Sequence, residues 1–135
     1  MNQIANINQT NNDAQTSELI PHSIEAEQQL LGAILTNNEV YDRIAAIINA
    51  GHFFEPVHSR IFELSAARIG KNNLASAVTL TSFMRSDEGL QELGGGAYRA
   101  RLAASAIAGF AVREYARMVY DLAIRRELIH LGQDI

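Results

Sequence analysis

The chain contains 135 residues, of which 47% are hydrophobic and 19% are charged, and its formal net charge is −4. This length suits one domain with a modest core, so a second globular domain is not expected. The acidic balance excludes the broad positive field that binding to a DNA backbone requires. The absence of cysteine excludes disulfides, thiolate metal sites and cysteine nucleophiles.

Residues 1–20 consist mainly of Asn, Gln, Thr, Ser and Asp, and their few apolar residues follow no period. A segment of this composition cannot bury enough apolar surface to offset its conformational entropy. The sequence therefore predicts a disordered tail that ends near Pro21. The N-terminus has no signal-peptide pattern, and the whole sequence has no run of roughly 20 apolar residues. We therefore expect a soluble, cytoplasmic protein without membrane contact.

Two helices are predicted between Ser23 and Gly51. Ser23 is a typical helix cap, and apolar residues then recur at helical spacing as far as Thr36. Asn37 and Asn38 supply a turn and a second cap, and a second stripe continues to Gly51, which suits a left-handed helix end. The stripes contain Ala26, Leu30, Leu31, Ile34 and Leu35 in the first helix and Val40, Tyr41, Ile44, Ile47 and Ile48 in the second.

Pro56 predicts the start of a third helix, because proline has a fixed φ and no N–H to leave unsatisfied. This helix is expected to end at Gly70, before the polar loop 71–76. Thr79 is expected to cap a short helix, and Gly94-Gly95-Gly96 to form a turn before a second short helix. The three stripes contain Val57, Ile61, Leu64 and Ile69, then Leu80, Phe83 and Met84, then Ala97, Tyr98 and Leu102.

The last segment, from about Ala108 to His130, predicts the longest helix. Its apolar residues alternate in steps of three and four, as in a seam between two helices. About 23 residues at a rise of 1.5 Å span roughly 35 Å, which is longer than a domain of this size needs. Part of the helix is therefore expected to pack on something else. The seam consists of Val112, Tyr115, Val119, Leu122, Arg126 and Ile129.

No catalytic, cofactor-binding or metal site is predicted within the chain. The run Gly94-Gly95-Gly96 lacks the following Lys and hydroxyl residue that a phosphate-binding loop requires. No two histidines lie at i, i+4 with an acidic third ligand, as zinc sites on helices have. We interpret His58, early in the third helix, as a capping or packing residue. The histidines are His22, His52, His58 and His130.

Most charged residues are expected on solvated faces. Neighbouring carboxylates on a helix or turn cannot point into one site. Most of the arginine cluster of the last helix is expected to form i, i+3 or i, i+4 ion pairs with the acids of that helix. Arg126 differs because it lies in the apolar seam. There its guanidinium would meet a carboxylate or the backbone carbonyls of a partner and could specify register. The residues concerned are Glu25, Glu27, Asp87, Glu88, Arg113, Glu114, Arg117, Asp121, Arg125, Arg126 and Glu127.

We predict that part of the seam contributes to self-association or to a partner contact. The alternative is that Tyr115, Val119 and Leu122 only complete the core of their own domain, since apolar stripes are usually core. The residues predicted for the contact are Tyr115, Val119, Leu122, Arg126 and Ile129.

Five stretches, in the same order, resemble motifs of the N-terminal domain of DnaB-family replicative helicases. Each is a packing signature, not a catalytic one, and together they cover roughly residues 21–130. They are Pro21-His22-Ser23-Ile24-Glu25-Ala26-Glu27-Gln28-Gln29-Leu30-Leu31-Gly32-Ala33-Ile34-Leu35, Phe53-Phe54 with His58-Ser59-Arg60-Ile61-Phe62, Val78-Thr79-Leu80, Leu93-Gly94-Gly95-Gly96-Ala97-Tyr98, and Ile124-Arg125-Arg126-Glu127-Leu128-Ile129.

The lack of period-two alternation predicts an all-α fold. The resemblance adds a compact orthogonal domain of about six helices, ending in a long helix that begins a helical hairpin. In the family, these domains pair through the hairpin and form a collar on a hexameric ring that contributes to docking primase; a helicase loader is another candidate partner. ATP, Mg²⁺ and single-stranded DNA would bind to an ATPase domain beyond Ile135.

The resemblance thus implies a tail at residues 1–20 and a collar domain at residues 21–135. The chain departs from the family's pattern in two places. It ends in or just after the first hairpin helix, so that the second would be missing and stable hexamers are not expected. The loop 71–76 is also more polar than the family's pattern, which affects only the conformation of that loop.

Three alternatives stay open. The first is another helical partner-binding module of the replisome, such as the helicase-binding end of primase. The second is a helix-turn-helix DNA reader, which the acidic charge and the lack of a recognition helix rich in Arg, Lys and Asn disfavour. The third is a free-standing helical enzyme, which the lack of clustered acids, bases or metal ligands disfavours.

Overall fold

Seven α-helices and one short 3-10 helix form the part of the chain that the structure, a computed structural model, describes: residues 20–104 and 111–133. No strand occurs among these residues, and the predicted all-α class is confirmed. The predicted tail lies outside them, apart from residue 20. The elements are α1 Ile24–Thr36, α2 Glu39–Ile44, the 3-10 helix Ala50–His52, α3 Pro56–Gly70, α4 Thr81–Met84, α5 Glu88–Leu93, α6 Gly96–Ala104 and α7 Val112–Gln133.

Helix α1 lies at the centre of the fold, because its apolar stripe is wide enough to face several neighbours. It packs against α2, α3, α6 and α7. Leu30, Leu31 and Ile34 are each 0% exposed, and burying a side chain of this size contributes roughly 1.5–3 kcal/mol. The predicted cap is confirmed, since Ser23 Oγ accepts a hydrogen bond from Ala26 N at 3.2 Å.

Helix α2 is shorter than predicted and ends at Ile44, not at Gly51. The chain turns because Asn49 Oδ1 accepts a hydrogen bond from Gly51 N at 2.9 Å, while His52 Nδ1 accepts one from Asn49 N at 2.9 Å. This reciprocal pair starts the 3-10 helix. Gly51 is not among the glycines with positive φ in the described chain, so its predicted left-handed role is wrong. The apolar stripe is still buried, through Val40, Ile44 and Ile48.

Helix α3 has the predicted bounds, and the polar loop after it is held by hydrogen bonds. Of the pair predicted to form a turn and a cap before α2, Asn37 accepts a hydrogen bond from Glu39 N at 3.1 Å through its Oδ1, whereas Asn38 makes no side-chain cap. Its Oδ1 accepts a hydrogen bond from Ala75 N at 2.9 Å, and its Nδ2 donates one to Ala75 O at 2.7 Å. Asn72 adopts the left-handed conformation, with φ 60°, that turns the chain after α3. The loop therefore has a fixed conformation relative to α2.

Three short helices follow this loop, where two were predicted. The additional one, α5, begins after Asp87, whose Oδ1 accepts a hydrogen bond from the backbone N–H three residues on at 3.0 Å. Thr79 is not the cap of α4, because its Oγ1 accepts a hydrogen bond from Ser76 N at 2.8 Å and closes the preceding turn. The glycine turn is confirmed, since Gly94 and Gly95 have φ 117° and 62°.

Asp87→Ala is expected to destabilise the domain by about 1–2 kcal/mol, because the side chain caps α5 and also pairs with Arg60. The hydrogen bond from Arg60 lowers the pKa of Asp87 from its usual value. A carboxyl group with a lowered folded-state pKa stabilises the fold above its unfolded pKa, about 3.9, and loses that contribution as the pH falls through the folded value.

Urea unfolding measured at pH 7 and below about pH 4 checks this expectation. The difference in unfolding free energy between wild type and Asp87→Ala should shrink on acidification. Glu88→Ala changes the exposed carboxylate next to it and serves as the control. An equal loss of stability in the two variants, or a difference that does not change with pH, would contradict the assignment.

Candidate protein-interaction surface

Helix α7 has a part that packs on the domain and a part that does not. Its buried side chains face α1, α2 and the 3-10 helix. Every residue from 127 to 133 is exposed. At 1.5 Å per residue this is about 10 Å of helix that the described chain leaves uncovered. The buried residues of α7 are Val112, Ala116, Val119 and Ala123.

The predicted seam separates into two rows of residues spaced seven apart. Val112 and Val119 are buried and Arg126 is half-buried, so this row faces the core. In the other row, Tyr115 and Leu122 are half-buried and Ile129 is 45% exposed. A straight helix drifts by about 20° per heptad, which turns the second row progressively away from the core. Met118 is 45% exposed and lies close to this second row on the helix surface. We call Tyr115, Met118, Leu122 and Ile129 together the flank row.

Arg126 binds backbone carbonyls, as expected for a guanidinium in a seam, but the carbonyls belong to its own chain. Its Nη1 donates to Pro21 O and its Nη2 to His52 O, both at 2.8 Å. The guanidinium carbon lies 5.4 Å from the centroid of the Phe54 ring. Burial lowers the pKa of Arg126 from its usual value, yet the group stays charged at neutral pH. Arg126 therefore ties α7 to the segment before α1 and to the 3-10 helix, and its contact with a partner stays a prediction.

The ion pairs predicted along α7 do not form. Among residues 20–104 and 111–133, no salt bridge joins an arginine of α7 to one of its carboxylates. Arg113, Arg117 and Arg125 are exposed, and at such positions an ion pair gains little over separate hydration of the two groups. The exposed face of α7 is therefore a set of solvated charges next to the flank row.

A buried polar network joins α1, α3 and α6. Glu27 is 2% exposed and His58 is 0% exposed. Glu27 Oε1 lies 2.8 Å from His58 Nδ1, and Glu27 Oε2 accepts a hydrogen bond from Phe54 N at 2.8 Å. His58 Nε2 lies 2.5 Å from Tyr98 OH. Burial raises the pKa of Tyr98, so that its hydroxyl stays protonated at neutral pH and can donate.

The predicted solvated position of Glu27 is wrong. Glu27 precedes Leu30 and Leu31 by three and four residues, which places it on the buried face of α1. This spacing to the apolar stripe is the signal in the sequence that indicates the burial of Glu27. His58 is a packing residue, as one of the two predicted roles had it, and not a cap. The three side chains of the network are too deeply buried to meet a substrate, so their function is structural.

Glu27→Ala is expected to destabilise the domain by about 3–5 kcal/mol, because it removes one partner of a buried pair and leaves His58 and two backbone N–H groups without an acceptor. Glu25→Ala, on the exposed side of the same helix, should cost less than about 1 kcal/mol. Thermal and urea unfolding of both variants measures the difference. Similar losses in the two variants would show that the network does not carry this stability.

Potential metal ligands are not clustered among the described residues. None of their His, Asp and Glu side chains form a group of three or more that could hold a metal ion. A cavity of about 460 Å³ beside Arg126 contains His52, Glu127 and His130 but does not meet that condition. No helix in this part of the chain is long and apolar enough to cross a membrane. The end of α7 is the part of this helix that the domain leaves exposed.

A model of the DnaB-like helicase N terminal domain matches residues 19–121, more than half of the chain. The chain belongs to this family. The match favours the DnaB family over the primase, helix-turn-helix and enzyme alternatives. It spans α1 to the middle of α7, so that Leu122, Arg126 and Ile129 lie past the matched residues.

Curated DnaB relatives and a solved DnaB domain resemble this chain. It is 39% identical over 128 residues to the replicative DNA helicase DnaB of Rickettsia typhi, covering 93% of this chain and 26% of that protein. The corresponding protein of Haemophilus influenzae is 36% identical over 115 residues, covering 85% and 25%. The crystal structure of the N-terminal domain of DnaB helicase from Mycobacterium tuberculosis shares the fold, with TM-score 0.77 and 24% identity over 85% of this chain and 83% of that one.

Proposed function

We propose that this chain is the N-terminal oligomerisation and primase-docking domain of a cytoplasmic replicative helicase, which unwinds duplex DNA at the replication fork using ATP. The relatives it matches are named replicative DNA helicases, and the chain spans about a quarter of their length. ATP, Mg²⁺ and single-stranded DNA would bind in the rest of such a protein. The contribution of this chain would be protein contacts.

The flank row of α7 is the observation that carries the proposal. Met118 and Ile129 are each 45% exposed, and the other two members of the row, Tyr115 and Leu122, are half-buried. A second helix laid along this row would cover all four side chains, in the manner of helices that pair through a seam. Pairing of two copies through α7 would give the dimer from which a collar is built.

Val119 and Arg126 contribute to this proposal indirectly. Val119 is 2% exposed, and Arg126 uses two nitrogens on carbonyls of its own chain. Both residues fix the position of α7 on the domain and so determine where the flank row lies. Their substitution is expected to move the surface, and their own contact with a partner stays a prediction.

Ile129→Asp is expected to weaken self-association at least about tenfold, because it places a charge within the apolar contact. Sedimentation velocity over a range of protein concentrations measures the association. Leu128→Asp, at the neighbouring position about 100° around the helix, is 63% exposed and should leave association nearly unchanged. Equal effects of both substitutions would contradict pairing through the flank row.

Co-sedimentation with primase from the same organism tests the second contact. We expect the chain to bind primase, and Glu25→Ala to bind it as the wild type does, since that carboxylate is exposed on α1 and does not belong to the flank row. A chain that stays monomeric at every concentration and does not bind primase would contradict the placement of these contacts within residues 21–135.

A further inference from the structure

A second surface of the domain lies between α3 and α4, in a part of the fold that the proposed contacts of α7 do not use. It is a groove with a volume of about 280 Å³. Pockets that bind small molecules usually measure roughly 300–1,000 Å³, so this one has room for about one or two protein side chains. Its walls are Leu64, Ala67, Arg68, Lys71, Asn73 and Phe83.

One wall is an aromatic ring that is exposed and yet held in place. Phe83 is 56% exposed. The guanidinium carbon of Arg68 lies 5.3 Å from its ring centroid, and Arg68 Nε donates to Leu74 O at 2.7 Å. The next residue of that loop, Ala75, is fixed in turn by Asn38. Aromatic and Arg side chains fixed at a surface are the residue types that dominate binding energy in protein interfaces.

The lining of the groove is positively charged, whereas the chain as a whole has a net charge of −4. Arg68 and Lys71 are two of its six lining residues, and none of the six is a carboxylate. Of the three nitrogens of Arg68, only Nε has a hydrogen-bond partner among the described residues, which leaves both terminal nitrogens for a carboxylate.

From these features we infer that the groove between α3 and α4 binds an acidic amphipathic helix of another protein. An apolar side chain of that helix would enter beside Phe83, and Asp or Glu side chains on its flank would pair with Arg68 and Lys71. A nucleic acid fits less well, because its phosphates require a longer series of cations and gain nothing from an apolar wall.

Titration of the isotope-labelled chain with a helical peptide of about 16 residues, roughly four turns, tests the inference by NMR. The peptide carries Leu at i, i+3, i+4 and i+7 and Glu on both flanks. It should shift the amide signals of residues 64–86. Phe83→Ala, and Arg68→Glu combined with Lys71→Glu, should each weaken binding at least about tenfold. Val78→Ala, at a position 80% exposed outside the groove, should change it less than about twofold.

Three results would overturn the inference. The first is that the Glu peptide shifts no signals, or shifts those of α7 instead. The second is that the same peptide with Lys in place of Glu binds equally well. The third is that a single-stranded oligonucleotide shifts residues 64–86 more strongly than the Glu peptide, which would assign the groove to nucleic acid. Circular dichroism of each variant ensures that a loss of binding is not a loss of folding.

Discussion

The buried carboxylate of Glu27 is the constraint on which the arrangement of the helices depends. A carboxylate that is 2% exposed is costly unless its oxygens are satisfied. Here they meet His58 of α3 and the backbone N–H groups of Phe54 and Glu55. Because a buried pair tolerates little change in geometry, α1, the start of α3 and the Tyr98 side of α6 are held in one arrangement. The apolar contacts of α1 stabilise the fold, and the polar network fixes the positions of α1, α3 and α6 relative to one another.

The same domain determines which face of α7 is available to a partner. The heptad pattern of α7 forms two rows of residues. One row, which contains Val112 and Val119, is buried in the core. Arg126 continues that row with hydrogen bonds in place of apolar packing, at the point where the core ends. The second row turns outward and remains partly uncovered. One helix thus completes its own domain and presents a surface.

Local patterns predicted the elements, and non-local contacts account for what was missed. Caps and apolar periodicity identified α1, α3 and α7, because those signals lie within a few residues. The 3-10 helix after α2 depends on hydrogen bonds among Asn49, Gly51 and His52, which apolar periodicity does not register. Glu27 and His58 are 31 residues apart in sequence, and Arg126 reaches carbonyls 105 and 74 residues away. The seam alone does not tell which of its residues face solvent. The structure is needed, because it shows that the core covers the side of α7 with Val112 and Val119.

Helix α7 is anchored to the domain as far as Arg126 and is exposed beyond it. Hydrogen exchange of the chain at low concentration, read amide by amide along α7, tests this most directly. The account predicts strong protection of the amides between Ala116 and Arg126 and fast exchange over residues 128–133. Uniform protection through Gln133 would contradict it, because it would mean that the end of the helix is covered by the domain itself. Loss of protection already at Val119 would contradict it equally, because the anchor at Arg126 would then not hold.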